Sequence, residues 1–295
     1  MHKNIKTSYG IALCRYNISN NNRVEILMIK KRYTYHYFYF VFGYYNKSNN
    51  KYLQYLFNNM TFSEKLEILS MKFSNIWYRL WNTDYSNCND RISNISKPDD
   101  KPDQRNLKCY FRKKSKFESI FTRDCGKRLR RLINNSTNSA TPWEIPKGIP
   151  EINETNLDCA CREFREETNI PNNSYTILWN IKPIIITYID DDVMYRSIYY
   201  IASYNKYCTW IPKISFNIKS QINEIEQIKW VSLNEIEFLN LNPSAKKRLF
   251  QLFKKISRKY NKIIKNYNFI PIKNQKSQLE QQSKLNNLPL LDLSM

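Results

Sequence analysis

The chain opens with two runs in which apolar and polar positions alternate, Tyr9–Tyr16 and Val24–Lys30. Alternation with period two marks half-buried strands, and the polar stretch Asn17–Arg23 between them predicts a β-hairpin. An aromatic block follows, Tyr33–Tyr45, which reads as a buried strand or as a stacking surface for bases. From 46 to 135 the period becomes helical. Phe62–Asn75, Ile76–Trp81 and the basic stretch Tyr110–Ile133 predict helices, with the polar, proline-containing loop Asp84–Asn106 between them. Strand signals return at Tyr175–Ile189 and Val193–Ser203, joined by a turn at Asp190-Asp191-Asp192, and again at Gln227–Leu233 before a short helix at Asn234–Leu239. Asn242-Pro243 then starts a long helix, with Asn as cap and Pro at the first helical position. Its apolar stripe is Leu249, Leu252, Phe253, Ile256, Tyr260, Ile263, Ile264 and Tyr267, and Pro271 ends it. The Gln-, Asn- and Ser-rich remainder predicts a disordered tail.

Composition adds a partner class. Hydrophobic residues at 42% are enough for a sizeable core, and 47 basic against 26 acidic residues give a net charge of +21. Part of that charge follows from a residue usage rich in A/T-codon amino acids, but its size favours a polyanion. Two basic clusters stand out. Lys254, Lys255, Arg258, Lys259 and Lys262 lie on the last helix, where no acid occurs between Lys246 and Lys265. Arg112, Lys113 and Lys114, with Lys108 and Lys116 beside them, lie in the helical insertion. Both read as tracks for the phosphates of a polyanion; the bland alternative for the last helix is a solvated basic face, and a third is a membrane surface. Seven cysteines without a Cys-x-x-Cys pair, and only two histidines, argue against a zinc site. Gly10–Cys14 is too short for a signal-peptide core, and Asn180, Lys182 and Pro183 interrupt the longest apolar stretch, so no membrane span is expected. A soluble protein of a reducing compartment fits.

The chemistry concentrates between Gly148 and Ile170. Thr155-x-x-Asp158 is a capping box that begins a helix. Helical geometry places Leu157, Ala160, Cys161, Phe164 and Thr168 on one face, and Glu163, Glu166 and Glu167 on another with Arg162 alongside. Asn169 suits a left-handed C-cap, and Pro171 prevents continuation. Three carboxylates on one face repel unless solvent and arginine neutralise them or a hard divalent cation, magnesium or manganese, does. The second case implies attack of water on a phosphate chain. Pro146-Lys147-Gly148 supplies a tight loop just before, with a cation for phosphate and a backbone open to close approach.

Gly148, Glu154, Arg162, Glu163, Phe164, Glu166, Glu167 and Ile170 stand at the spacing of the Nudix box, G-x5-E-x7-R-E-U-x-E-E-x-G-U, which this stretch resembles. One position departs, Asn169 for the last Gly, and Asn tolerates the same backbone conformation. The resemblance implies an α/β/α sandwich with a mixed sheet. It makes Glu163, Glu166 and Glu167, with the carbonyl of Gly148, ligands of Mg2+ or Mn2+. It gives Arg162 the task of orienting them, Glu154 that of supporting the helix, and Glu167 and Arg162 a place in catalysis.

Two further stretches narrow the resemblance. Trp143-Glu-Ile-Pro146-Lys147-Gly148 and Asn223-Glu224-Ile225-Glu226-Gln227-Ile228-Lys229-Trp230 resemble segments of mRNA-decapping Nudix enzymes, which makes Glu224 the candidate general base, with Glu226 second. Lys31-Arg32-Tyr33-Thr34-Tyr35, Gly43-Tyr44-Tyr45 and the segment from Phe62 to Trp81 resemble those of large cytoplasmic DNA viruses, of the poxvirus and African swine fever virus type. That group implies capped mRNA as substrate, 7-methyl-GDP and 5′-monophosphate RNA as products, and action in the host cytoplasm with virion packaging. Trp143 and Lys147 are the expected substrate contacts; Trp77, Trp81 and Tyr35 are further candidates for stacking on the cap. No obligatory protein partner is evident. The expected organisation is a Nudix domain from 1–45 and 136–270, a helical RNA-binding insertion at 46–135, and a tail at 271–295. Competing readings are a diphosphoinositol polyphosphate or dinucleoside polyphosphate hydrolase, and a non-catalytic RNA-binding protein on the same scaffold.

Overall fold

In a computed structural model of the chain, which describes residues 5–17, 23–81, 104–190, 193–205, 212–215 and 219–267, the opening hairpin is β1 (Ile5–Asn17) against β2 (Arg23–Lys31). Its antiparallel pairing is short, from Cys14 opposite Ile26 to Asn17 opposite Arg23. Beyond that point the two strands diverge, and the segment carrying β3 (Trp143–Glu144) and β4 (Lys147–Gly148) fills the gap between them. β3 bonds to β2 at Ile29 and Lys30, and β4 bonds to β1 at Tyr9 and Gly10. The approach is close: a Cβ on Gly10 would lie 2.1 Å from the Pro146 carbonyl oxygen, so only glycine fits. Residues 147 and 148 are thereby fixed to the middle of the sheet.

On its other edge β1 runs parallel to β7 (Val193–Tyr204), from Ile5 opposite Met194 to Cys14 opposite Ser203. β5 (Tyr175–Ile177) and β6 (Ile184–Asp190) add antiparallel to β7, and β8 (Ile225–Ser232) adds antiparallel to β2. The expected strand Tyr175–Ile189 is therefore two strands, broken around Pro183, which has no N–H to give to a ladder.

Side-chain alternation sorts the sheet into two buried faces. Ile11, Leu13, Leu27 and Ile29 meet Ala160 and Phe164 of α7 (Asn156–Thr168). Ala12, Cys14, Ile26 and Met28 meet Leu249, Leu252, Phe253, Ile256 and Tyr260 of α9 (Pro243–Tyr267). The result is the α/β/α sandwich with a mixed sheet, with α8 (Lys219–Glu224) leading into β8.

Between β2 and β3 stands a separate helical unit: α1 (Tyr35–Val41), α2 (Asn50–Asn58), α3 (Phe62–Ser70), α4 (Phe73–Trp81), α5 (Gln104–Phe121) and α6 (Lys127–Asn134). Its core is largely aromatic, with Phe40, Phe57, Trp77, Tyr110 and Phe121 buried together. The aromatic block expected as a strand is α1, so the helical unit starts at Tyr35 rather than at 46. Thr34 caps α1 by accepting from the Tyr37 N–H, and Tyr37, Phe40 and Val41 then fall on the buried face. Packing at helical spacing overrides the β preference of the rings. Likewise Phe62–Asn75 is two helices, the first opened by a complete capping box at Thr61 and Glu64. The turn of the hairpin (18–22), most of the loop at Asp84–Asn106, Asp191-Asp192 and the expected tail lie outside the described residues. Among the described residues no helix is long and apolar enough to cross a membrane.

Candidate active site

α7 begins as the sequence predicts. The Thr155 hydroxyl accepts from the Asp158 N–H at 3.2 Å, and Asn169 ends the helix in the left-handed region with φ 55°. Only half of the capping box forms, because the Asp158 carboxylate accepts from the Thr155 hydroxyl at 2.6 Å. Burial of Ala160, Phe164 and Ile170 against the sheet sets the rotation of α7 about its axis. That rotation makes the three glutamates unequal: Glu166 is exposed, Glu163 is half-buried and Glu167 is buried.

Arg162 organises the outer two. Its guanidinium donates to both oxygens of Glu154, at 2.7 and 2.9 Å, to Glu163 at 2.8 Å, to Glu166 at 3.2 Å and to the Ile149 carbonyl at 3.2 Å. Hydrogen bonding from Arg162 holds the Glu154 carboxyl down at about 2. Burial, partly offset by Arg162, pushes Glu163 above the usual carboxylate range. The Glu163 carboxylate lies flush against the Gly148 backbone.

Glu167 belongs to a second group. Its Oε2 accepts from the Lys147 N–H at 3.0 Å and its other oxygen accepts from the Lys31 ammonium, which also reaches Glu224 at 3.2 Å. Burial pushes the Glu167 carboxyl up to about 7 against the pull of Lys31. Beside it the Lys147 ammonium donates to Glu144, whose carboxylate also accepts from the Tyr35 hydroxyl at 2.8 Å. Burial would raise Glu144, but Lys147 and Lys31 outweigh it and hold it low. Lys31 was not among the sequence candidates. Its signal was its place as the last residue of β2, where the alternation ends on a lysine that is only 11% exposed.

These groups form one wall of a cavity of about 700 Å³ between the sheet and the helical unit. Lys31, Lys147, Gly148, Glu163, Glu167 and Glu224 line the sheet side; Tyr35, His36, Tyr39, Tyr52 and Tyr55 line the helical side; Tyr188 and Tyr195 stand at the end of the sheet. The Lys6 ammonium sits 5.9 Å from the Tyr39 ring centre and 5.8 Å from that of Tyr195, a place where two π-faces attract positive charge. Lys31 and Lys147 in the lining suit the oxygens of a phosphate chain, and the tyrosine rings suit an aromatic head.

Residues 126–253 match the NUDIX domain. The chain is 33% identical over 270 residues to mRNA-decapping protein g5R of African swine fever virus, an alignment that covers 89% of this chain and 96% of that protein. The protein of the same name from a Kenyan pig isolate of that virus is 33% identical over 247 residues, covering 81% of this chain and 90% of the other. The chain belongs to the Nudix hydrolases. Among solved structures, a C. elegans Ap4A hydrolase in a binary complex is similar at a TM-score of 0.37 and 11% identity, covering 85% of this chain and 98% of that one, a likeness too loose to decide between substrates.

Within this Nudix hydrolase Gly148, Glu163 and Glu167 of the box line the cavity, Arg162 ties Glu154 and Glu166 to Glu163 beside it, Phe164 and Ile170 are core, and Glu224 joins the lining through Lys31. Trp143 does not. It is 9% exposed and packed in the core between the sheet and α9, on the face away from α7, because the strand alternation at β3 turns it there. Trp77 is buried in the helical core and Trp81 packs against it, 4.0 Å between ring centres; of the expected stacking candidates only Tyr35 lines the cavity. Tyr39, Tyr188 and Tyr195 were missed, since nothing in a sequence rich in tyrosine distinguishes them.

On α9, Lys254, Lys255, Arg258 and Lys262 are exposed, whereas the Lys259 ammonium donates to the Lys182 carbonyl at 2.9 Å. On α5, Arg112 is exposed, but Lys113 packs 4.6 Å from the Phe42 ring centre, and Lys116 donates to the carbonyls of Gly43 and Tyr45. Lys114 lies over Tyr110 at 5.9 Å. Part of the basic cluster of the insertion thus holds the turn after α1.

Nudix hydrolases use divalent metal ions. Among the described residues no three carboxylate, thiol or imidazole side chains form a ready cage, because each box carboxylate faces Arg162 or Lys31. The donor set still fits a hard cation: carboxylate oxygens at i, i+3 and i+4, and a glycine whose missing side chain leaves Glu163 room against the backbone.

Proposed function

We propose that this protein is an mRNA-decapping hydrolase, which cuts the pyrophosphate linkage of the cap to release 7-methyl-GDP and 5′-monophosphate RNA in the host cytoplasm. The observation that carries the reading is the cavity itself, lined by Glu163, Glu167 and Glu224 on the sheet side and by a set of tyrosines on the other. Relatives aligned over both the sheet and the helical unit are named for that activity, which supports it.

In this reading Glu163, Glu166, Glu167 and the Gly148 carbonyl hold Mg2+ or Mn2+. The bound ion supplies a Lewis acid that draws charge from the phosphate oxygens and lowers the pKa of water. The chain's own groups do the rest. Arg162 fixes the Glu163 and Glu166 carboxylates in orientation. Lys147 and Lys31, both at the cavity wall, stabilise negative charge on the phosphates. Glu224, whose side chain is 60% exposed and points to the cavity, accepts the proton of the attacking water. Tyr39 and Tyr195 attract the cationic ring of 7-methylguanine once it displaces the exposed Lys6 ammonium from their faces. The exposed basic face of α9 holds RNA phosphates outside the cavity.

The deciding experiment incubates the protein with RNA labelled in its cap, with magnesium or manganese, and identifies the released nucleotide. Release of 7-methyl-GDP with 5′-monophosphate RNA is expected. Efficient hydrolysis of diphosphoinositol polyphosphates or dinucleoside polyphosphates, with none of capped RNA, would move the reading to those substrates. Binding of RNA with no cleavage of any of them would leave a non-catalytic scaffold.

A further inference from the structure

Behind the wall of the catalytic cavity is a second, smaller one of about 220 Å³, at the contact between α4 and α8. Arg32, Tyr33, Tyr78, Arg79, Ile222 and Asn223 line it. Two dipeptides, Lys31-Arg32 and Asn223-Glu224, each give one residue to the large cavity and the other to the small one. The Arg32 N–H donates to the Glu224 carbonyl at 2.8 Å and ties these steps together. At these two steps, neighbouring residues of the chain line different cavities.

The small cavity has the chemistry of an anion site. Arg32 Nε is buried and has no hydrogen-bond acceptor among the described residues, while one terminal nitrogen of the same guanidinium reaches only the Ile225 carbonyl, at 3.4 Å. A desolvated, charged donor of this kind is costly unless an acceptor meets it. Arg79 stands across from it, 52% exposed, with its nearest acid, Glu67, at 3.6 Å. That separation exceeds a good hydrogen bond, so Arg79 can turn to a better acceptor. Glu67 is the opposing charge nearby; its carboxylate is mostly buried, one of its oxygens has no hydrogen-bond partner among the described residues, and a phosphate bound here would compete with it for Arg79. Tyr78, 47% exposed, lines the same cavity as the two guanidinium groups.

We propose that this cavity binds one nucleotide unit of the RNA body, with a phosphodiester between Arg32 and Arg79 and the adjoining base on the Tyr78 ring. The inference rests on RNA being the substrate, and it adds a subsite that the box and the α9 face do not contain. A guanidinium fork matches phosphate oxygens in a way that a lysine does not. Stacking on tyrosine accepts any base, so the site senses the presence of a chain rather than its sequence.

The test uses the full chain and two readouts. Binding of uncapped single-stranded RNA is measured as a function of salt, which does not depend on cap cleavage. Arg79→Gln, Tyr78→Ala and Arg32→Gln should each weaken it roughly tenfold, a size consistent with loss of one charged hydrogen bond or one stacked base. The two arginine variants should also lower the salt slope by about 0.7, the contribution of one phosphate in a single strand. Tyr78→Ala should leave the slope unchanged. In cleavage, kcat/KM for long capped RNA should fall to match, while that for a cap dinucleotide stays within about twofold of the parent. Arg79 and Tyr78 are surface residues, so their variants report even if Arg32→Gln unfolds the chain. Unchanged RNA binding and slope in Arg79→Gln and Tyr78→Ala would overturn the subsite and leave Arg32 satisfied by water. Equal loss on long RNA and dinucleotide would make the cavity a support of the catalytic wall. If no capped substrate is cut by any form, the decapping reading fails while the RNA-binding comparison still decides the subsite. Inorganic phosphate that competes with RNA equally in parent and Arg79→Gln would also reject it.

Discussion

A methyl group added to Gly148 would lie 1.9 Å from the carboxyl carbon of Glu163. The box glycine therefore keeps the first glutamate of α7 against the loop that precedes the helix. Gly148→Ala should displace Glu163 without unfolding the sheet, since the neighbouring strand contacts at Tyr9 and Gly10 are made by backbone. Misplacement of a reacting group by about 1 Å costs about a hundredfold in rate, and a fall of that order in kcat is expected. Circular dichroism should be unchanged. A variant with parental kcat would mean that Glu163 has room elsewhere and that its present position is not the working one.

Glu166→Gln and Glu167→Gln test the same assignment without changing shape. Each should lower turnover by about a hundredfold, as loss of an electrostatic contact to the reacting groups does. Glu166 is the sharper case, because it is exposed and its replacement leaves no buried group unpaired. Near-parental hydrolysis by both variants would remove these carboxylates from the metal site.

The box was legible because its spacing is rigid and its physical content local. The cap at Thr155, the end at Asn169 and the Arg162 contacts all fall within 23 residues of one another. The cavity was not legible, because its far wall comes from α1 and α2, brought over by a helical unit whose docking no periodicity encodes. The aromatic block shows the difficulty in detail. Tyr33–Tyr45 satisfies a strand and a helix pattern equally, and the decision rests on Thr34 as a cap and on partners as distant as Phe117 and Phe121. Trp143 was misassigned for a related reason: its neighbour Glu144 turns to Tyr35 and Lys147 of the cavity wall, and a one-residue alternation turns the ring to the opposite side.

Lys31 and Glu167 form a buried ion pair, with side chains 11% and 4% exposed. Lys31→Met should cost about 3 kcal/mol in urea unfolding, because it leaves a buried carboxylate without its cation. Adding Glu167→Leu should recover most of that loss, since removing both charges removes the desolvation penalty too. A double variant less stable than Lys31→Met alone would show that the Glu167 contact to the Lys147 N–H is the stronger tie.

Glu64 links two helix starts. Its carboxylate accepts from the Thr34 N–H at 2.5 Å, from the Thr34 hydroxyl at 3.0 Å and from the Thr61 N–H at 2.7 Å, so it serves the caps of α1 and α3 together. Burial raises its pKa despite these donors. The folded state then binds the proton more tightly than the unfolded chain. The stability this gives is complete below the ordinary carboxylate pKa and is lost as pH rises through the folded value. Glu64→Gln cannot titrate and turns an amide toward a backbone donor, at a cost of about 2 kcal/mol at acid pH. The stability gap between parent and variant should narrow as pH rises above the ordinary carboxylate range and through the raised folded value. A gap that widens instead would mean that the three donors outweigh burial.

The basic face of α9 separates capture of RNA from chemistry. Leu249, Leu252, Phe253, Ile256 and Tyr260 anchor the helix to the sheet, and Lys254, Lys255, Arg258 and Lys262 point away from that contact. Near the start of the helix, Arg248 lies 4.8 Å from the ring centre of Tyr188, which lines the large cavity, so a basic residue of α9 reaches a residue of that lining. Changing the four exposed residues together to Gln should leave unfolding and metal dependence as they are. The salt slope of RNA binding should fall by about 0.7 for each phosphate that α9 no longer neutralises. Long capped RNA should be cut much less efficiently, whereas a cap dinucleotide, too short to reach α9, should be hydrolysed as before. Combined with Arg79→Gln, the losses in binding free energy should add, because α4 packs in the aromatic core of the helical unit and α9 in the core beneath the sheet. An unchanged slope in the fourfold variant, with a reduced slope in Arg79→Gln, would place the RNA path over the helical unit and leave α9 as a solvated support of the sheet.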